Sequence, residues 1–206
     1  MQLHTMKRWG LFIVFQLILM FCIGQSHEVY NDKGVEKENA RDFAAAITFY
    51  SKAISLNPNY ATAYRNRGDA KAALQDYTGA IQDYSKAINL DQNFTQAYNN
   101  RGIAKKILQD YKGAIQDYTK AISLNPDYAT AYHNRGISRY YTGDYLGAIQ
   151  DYTKAITINP QYATAYLNRG LAKLKLKQTA SACNDLKKSA QLGDEVAATY
   201  IKDNCN

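Results

Sequence analysis

Beyond residue 26, apolar residues recur at intervals of three and four, with polar residues between them. This spacing places the apolar side chains on one face of an α-helix. The helical stretches come in pairs that short polar turns join. The pattern therefore predicts amphipathic helical hairpins and an all-α fold.

The hairpins are copies of one another. The string Ala-Thr-Ala-Tyr-x-Asn-Arg-Gly begins at Ala61, Ala129 and Ala163, and a looser copy begins at Thr95. Neighbouring copies lie 34 residues apart, a period typical of arrays in which each helical hairpin stacks on the next. The chain divides into five units, 27–60, 61–94, 95–128, 129–162 and 163–196, followed by a tail at 197–206.

The same unit positions carry the same residue types, counted from the first residue of each unit. We expect helices at positions 2–14 and 18–31, with proline at position 32 (Pro58, Pro126 and Pro160) ending the second helix. Glycine at position 8 lets the two helices approach closely. Fifteen of the 18 tyrosines occupy positions 4, 17, 24 and 34, which predicts packing between helices, with phenol oxygens reaching the surface.

This pattern resembles the tetratricopeptide repeat family, and the phrases Asn-Arg-Gly and Ala-Ile-Gln-Asp-Tyr-Thr-Lys-Ala-Ile resemble bacterial exported members. The resemblance implies a right-handed α-solenoid of five 34-residue hairpins with a C-terminal capping helix. It also implies a concave groove, lined by the first helices, that binds an extended peptide or a partner helix. One departure is a basic residue at position 7, where the family typically has leucine.

Position 6 points into the groove in the resembled fold. Asparagines at one level would form a ladder that hydrogen-bonds the backbone of an extended peptide, like the similar ladder of O-linked N-acetylglucosamine transferases. The alternative is that these side chains cap local structure or face solvent. The ladder consists of Asn66, Asn100, Asn134 and Asn168.

Other groove positions differ between units and are the candidates for specificity. They predict a basic, aromatic surface suited to an acidic or aromatic peptide, and the alternative is a solvated polar helix face. These residues are Arg65, Asn99, Lys106, His133, Tyr140 and Tyr141.

The arginines at position 7 accompany aspartates at position 23 in every unit after the first. Because these positions can face each other in the resembled fold, we expect structural ion pairs, within a hairpin or between neighbours, that fix the hairpin geometry. The expected pairs are Arg67 with Asp83, Arg101 with Asp117, Arg135 with Asp151, and Arg169 with Asp185.

The first 26 residues predict a secretory signal peptide, because Lys7 and Arg8 precede an apolar run at 11–23. The expected location is periplasmic or secreted, and the alternative is a membrane anchor that is not cleaved. Cys183 and Cys205 would remain in an exported chain and predict a disulfide, the alternative being two isolated thiols. The bond would tie a folded-back capping helix to the last hairpin.

The leading hypothesis is a non-enzymatic scaffold that binds a peptide or protein segment in its concave groove. The alternative is a structural module that assembles with itself or with an envelope complex. No catalytic, cofactor or metal motif is found, and the net charge of +7 is dispersed along the chain, which argues against nucleic acid. A monomer is favoured.

Overall fold

The computed structural model describes residues 27–205, which contain eleven α-helices and no strand. These residues form two compact units, which meet between Gln92 and Asn93. The predicted signal peptide lies outside the described residues. The helices are α1 (27–39), α2 (Phe43–Leu56), α3 (Ala61–Ala73), α4 (Tyr77–Leu90), α5 (Thr95–Ile107), α6 (Tyr111–Leu124), α7 (Ala129–Tyr141), α8 (Tyr145–Ile158), α9 (Ala163–Lys175), α10 (Thr179–Gln191) and α11 (Glu195–Asn204).

The all-α prediction is confirmed, and helices adjacent in sequence pack as pairs, as in tetratricopeptide solenoids. The expected helix limits were wrong by about one residue, because α3 begins at position 1 of its unit and α4 at position 17. An aspartate at position 16 sets the start of the second helix. In α4, for example, the Asp76 carboxylate accepts a hydrogen bond from the Gly79 amide at 2.9 Å, which satisfies an N–H that the helix itself leaves unpaired.

Glycine at position 8 and tyrosine at position 24 fit together inside the hairpin. A Cβ atom built on Gly136 would lie 2.6 Å from Cε1 of Tyr152, so the ring occupies the space that any side chain would need. The tyrosines at this position are at most 2% exposed. The close approach is confirmed, and the expectation that these phenol oxygens reach the surface was wrong.

The arginine–aspartate pairs are confirmed and lie within the hairpin. Arg135 donates two hydrogen bonds to Asp151, at 2.7 and 3.0 Å, and also reaches Thr119 of the preceding hairpin at 3.0 Å. A second cation, Arg139, contacts the same carboxylate at 2.9 Å. Sequence reasoning missed this cation at position 11, which is a lysine in all four of the other hairpins. Two cations offset the cost of burying each aspartate.

The capping helix α11 begins at Glu195, two residues before the expected tail. Its Ala197 packs with Leu167 and Leu186 in an apolar cluster that covers the end of the last hairpin. The sulfur atoms of Cys183 and Cys205 lie 2.05 Å apart, at bonding distance. This position is compatible with the predicted disulfide, which stays a prediction.

Candidate binding surface

The first helices of the C-terminal unit present one surface, here called the first-helix face, formed by α5, α7, α9 and α11. A cavity of about 190 Å³ opens on it between α7 and α9. Tyr140 and Tyr141, both predicted site residues, line the cavity together with Asn168 of the asparagine ladder. The remaining lining residues are Ile137, Tyr152 and Leu171.

A second cavity, of about 320 Å³, lies beside the first and shares Tyr140 and Leu171 with it. Its far wall is Tyr200 and Asn204 of the capping helix. The two cavities share two lining residues and are together called the recess. Its apolar and aromatic lining with a few amides is typical of protein sites that hold organic ligands and peptide side chains.

The aromatic side chains around this recess support one another. The ring of Tyr141 stacks on Tyr111 at 5.1 Å and meets the edge of Tyr140 at 5.8 Å. Tyr140 in turn contacts Tyr145 at 5.2 Å. Tyr141 nevertheless remains 63% exposed. A large aromatic surface, held in place by neighbours and open to solvent, is a suitable anchor for a partner.

His133, a predicted specificity residue of the groove, is buried and joins two repeats, and its part in binding stays a prediction. Its Nε2 accepts a hydrogen bond from the Asn168 amide at 2.9 Å, and its Nδ1 lies 3.1 Å from the Tyr162 hydroxyl. Burial, together with the positive charge of Lys106, lowers the pKa of His133 to about 4. The ring is therefore neutral at pH 7.

Arg65 and Lys106, the predicted cations of the groove, differ in their surroundings. Arg65 lies in the N-terminal unit and forms an ion pair with Asp69 at 2.8 Å. Lys106 is half-buried in the C-terminal unit and donates to Oδ1 of Asn134 at 3.1 Å. Burial lowers the pKa of the Lys106 amine.

The asparagines of the predicted ladder take part in contacts within the chain. Asn66 is buried and donates to Asn31 of the preceding repeat at 2.9 Å, and Asn168 donates to His133. Asn100 accepts a hydrogen bond from Asn99 at 3.1 Å. The asparagines thus link neighbouring repeats and neighbouring side chains, and only Asn168 lines one of the two cavities. Peptide binding by the ladder stays a prediction.

The buried tyrosines at position 24 differ between hairpins, which sequence reasoning missed. Tyr50 donates to Glu38 at 2.6 Å and Tyr84 to Asp69 at 2.7 Å. The buried hydroxyl of Tyr118 has no hydrogen-bond partner among residues 27–205. The available signal was position 9, where Asp69 of one repeat is replaced by Ile103 in the next.

Within residues 27–205, no group of three or more His, Cys, Asp or Glu side chains is arranged to hold a metal ion. The same residues contain no helix that is long and apolar enough to cross a membrane.

Comparison with known families identifies the repeat. A family model described as TPR repeat matches residues 42–74, 68–106 and 136–177, and a second, described as tetratricopeptide repeat, matches 95–128. The chain belongs to the tetratricopeptide repeat family. No curated protein matches it significantly.

Solved structures share the fold. The crystal structure of MamA protein is 30% identical, with a TM-score of 0.76 over 82% of this chain and 92% of that one. YrrB, described as a TPR protein with an unusual peptide-binding site, is 22% identical, with a TM-score of 0.74 over 84% and 90%. PilF of Pseudomonas aeruginosa is 19% identical, with a TM-score of 0.75 over 84% and 79%.

The last two identities are low, so these likenesses show the fold alone. Proteins of this family are generally scaffolds without catalytic activity. The chain is accordingly a tetratricopeptide scaffold of the kind that mediates protein interactions.

Proposed function

We propose that this chain is a non-enzymatic scaffold that binds an extended segment of another protein on the first-helix face of its C-terminal unit. The observation that carries the proposal is the recess made by the two cavities that share Tyr140 and Leu171. Tyr152 of α8 forms part of it, and three helices of the first-helix face, α7, α9 and α11, contribute the other side chains. An extended segment that lies across these helices would contact each in turn.

The chemistry of the recess fits a peptide. Aromatic faces offer apolar contact area at low entropy cost, and the Asn168 and Asn204 amides offer hydrogen bonds to a peptide backbone. Each such bond contributes only about 0.5–1.5 kcal/mol. Affinity would therefore depend mainly on side chains of the partner that fill the recess beside Tyr140.

The test is a selection of random twelve-residue displayed peptides on the full-length chain, followed by binding measurements on the selected peptides. Tyr141→Ser removes the exposed aromatic anchor. The matched control is Leu146→Ser on α8, because both parent residues are 63% exposed. We expect the first substitution to weaken binding about tenfold or more, the usual effect at an aromatic anchor, and the control to leave it unchanged.

Equal binding by the two variants would place the site elsewhere and refute the proposal. If no peptide is selected and the chain sediments as a large assembly, the alternative of a self-assembling structural module would replace it.

A further inference from the structure

We propose that the bound segment is acidic, and that one of its Asp or Glu carboxylates binds on the first-helix face beside Lys106 and Tyr118. This inference rests on the proposed function and names the chemistry of the partner. It extends the binding surface from the recess around Tyr140 toward α5.

The N-terminal unit shows which group the buried tyrosines accept. Its Tyr50 and Tyr84 each donate to a carboxylate, Glu38 at position 12 and Asp69 at position 9. The same positions in the third repeat are Lys106 and Ile103, and neither offers an acceptor. The Tyr118 hydroxyl thus lacks the carboxylate that Tyr50 and Tyr84 have, and a carboxylate from a partner would supply it.

Lys106 supplies a positive charge at unit position 12, the position from which Glu38 contacts Tyr50. The only polar contact of its amine with residues 27–205 is Oδ1 of Asn134, at 3.1 Å. By contrast, Lys71, Lys105 and Lys173 each contact a buried aspartate at 2.7–2.8 Å. A half-buried ammonium without a carboxylate is costly, and an anion that binds it recovers part of this cost.

The link between the third and fourth repeats is also different. In the other two links described, an asparagine at position 6 donates to position 5 of the repeat before it, Asn66 to Asn31 and Asn168 to His133. Asn134 instead accepts from Lys106, and the buried Oδ1 of Asn99 has no partner within residues 27–205.

An unpaired acceptor favours a peptide over a simple anion, because a peptide also provides N–H donors. Asn99 and Lys106 are two turns apart on α5, roughly 10 Å. That distance corresponds to about three residues of extended chain. A segment whose backbone N–H reaches Asn99 would therefore present a carboxylate to Lys106 about three residues away.

The charge of the first helices supports this partner. Helices α5, α7 and α9 contain eight lysines and arginines and no aspartate or glutamate. Helix α1, in the N-terminal unit, contains four acidic residues. Six of these eight cations pair with aspartates of the second helices. Lys106 and Lys175 are the two that form no such pair within residues 27–205, and their charge matches an acidic segment.

The experiment uses the peptides selected above. We expect them to be enriched in Asp and Glu, and we expect synthetic versions with Gln and Asn at those positions to bind about ten- to a hundredfold more weakly. Lys106→Met should weaken the acidic peptide by a similar factor. Lys106→Arg should restore most of the binding, and Lys112→Met, an exposed lysine on α6, should have no effect.

Tyr118→Phe tests the contribution of the tyrosine separately from that of Lys106, since it removes only the hydroxyl. It should weaken binding of the acidic peptide severalfold. Either of two results would overturn this inference. The selected peptides could lack acidic residues, or the variants Lys106→Met and Lys112→Met could bind acidic peptides equally well. In that case binding that still depends on Tyr141 leaves the proposed function standing. If no peptide is selected, both fail.

Discussion

Two buried tyrosines in equivalent positions should respond in opposite ways to the loss of one oxygen atom. Tyr84 and Tyr118 both pack against the position-8 glycine of their hairpin, and they are 2% and 0% exposed. Tyr84 donates to Asp69 at 2.7 Å, whereas the Tyr118 hydroxyl has no partner among the described residues. Replacing each tyrosine by phenylalanine keeps the ring and removes only the hydroxyl.

The expected magnitudes follow from these contacts. A hydrogen bond to a charged group contributes about 1.5–3 kcal/mol. Asp69 keeps its ion pair with Arg65 and is 21% exposed, so Tyr84→Phe should cost about 1.5–2 kcal/mol, the lower part of that range. Tyr118→Phe relieves the desolvation of an unpaired hydroxyl and should be neutral or stabilising by about 1 kcal/mol. The two variants should differ by roughly 2–3 kcal/mol.

The assay is urea unfolding at pH 7, followed by the helical circular dichroism signal without added peptide. Because stability in repeat arrays is partly local, amide hydrogen exchange should also show the Tyr84→Phe loss around α3 and α4. Equal losses in the two variants, or a larger loss for Tyr118→Phe, would refute the assignment of the unpaired hydroxyl and weaken the proposed carboxylate site.

Three further outcomes are expected. Gly136→Ala should lower the free energy of unfolding by about 1–3 kcal/mol through overpacking, because the added Cβ would lie 2.6 Å from the Tyr152 ring. The pKa of His133 is about 4 when folded and 6.5 when unfolded. The free energy of unfolding should therefore decrease as the pH falls from 6.5 toward 4, because only the unfolded chain gains the proton. His133→Leu should reduce this acid-induced loss. Reducing the predicted Cys183–Cys205 disulfide should destabilise the capping helix by about 3 kcal/mol.

Each of these has a contrary result. Thermal unfolding should show partial recovery when Tyr152→Leu is added to Gly136→Ala, and no recovery would contradict the overpacking. Identical pH profiles for the parent chain and His133→Leu, measured by urea unfolding, would show that folding does not lower the pKa of His133. Alkylation of both Cys183 and Cys205 in the unreduced, unfolded chain, located by mass spectrometry, would exclude the disulfide between them.

The contacts inside each hairpin could be predicted from the sequence, because they recur with every unit. The close approach of the two helices at the position-8 glycine, and the pairing of Arg135 with Asp151, were expected and are confirmed. The second cation, Arg139, was missed because the sequence comparison matched each aspartate with one arginine and did not look for a second cation on the same carboxylate. Helix limits were shifted by one residue, since the second helix begins directly after its capping aspartate, which is Asp76 in α4.

The binding surface depended more on the tertiary structure. The pattern alone identified Tyr140 and Tyr141 as departures from the repeat, and they line the recess. It also placed His133 in the groove, but the fold buries the ring between repeats, because its two nitrogens satisfy Tyr162 and Asn168.

The sequence by itself thus determined the repeat, its hairpins and the family, since periodic residues make the same contacts in every unit. Only the tertiary structure decided which polar groups stay unpaired. A hydrogen bond depends on distances of a few tenths of an ångström between side chains from different helices. For this reason only the folded chain showed that the Tyr118 hydroxyl is unpaired within residues 27–205, and that the Lys106 amine contacts an amide and no carboxylate there.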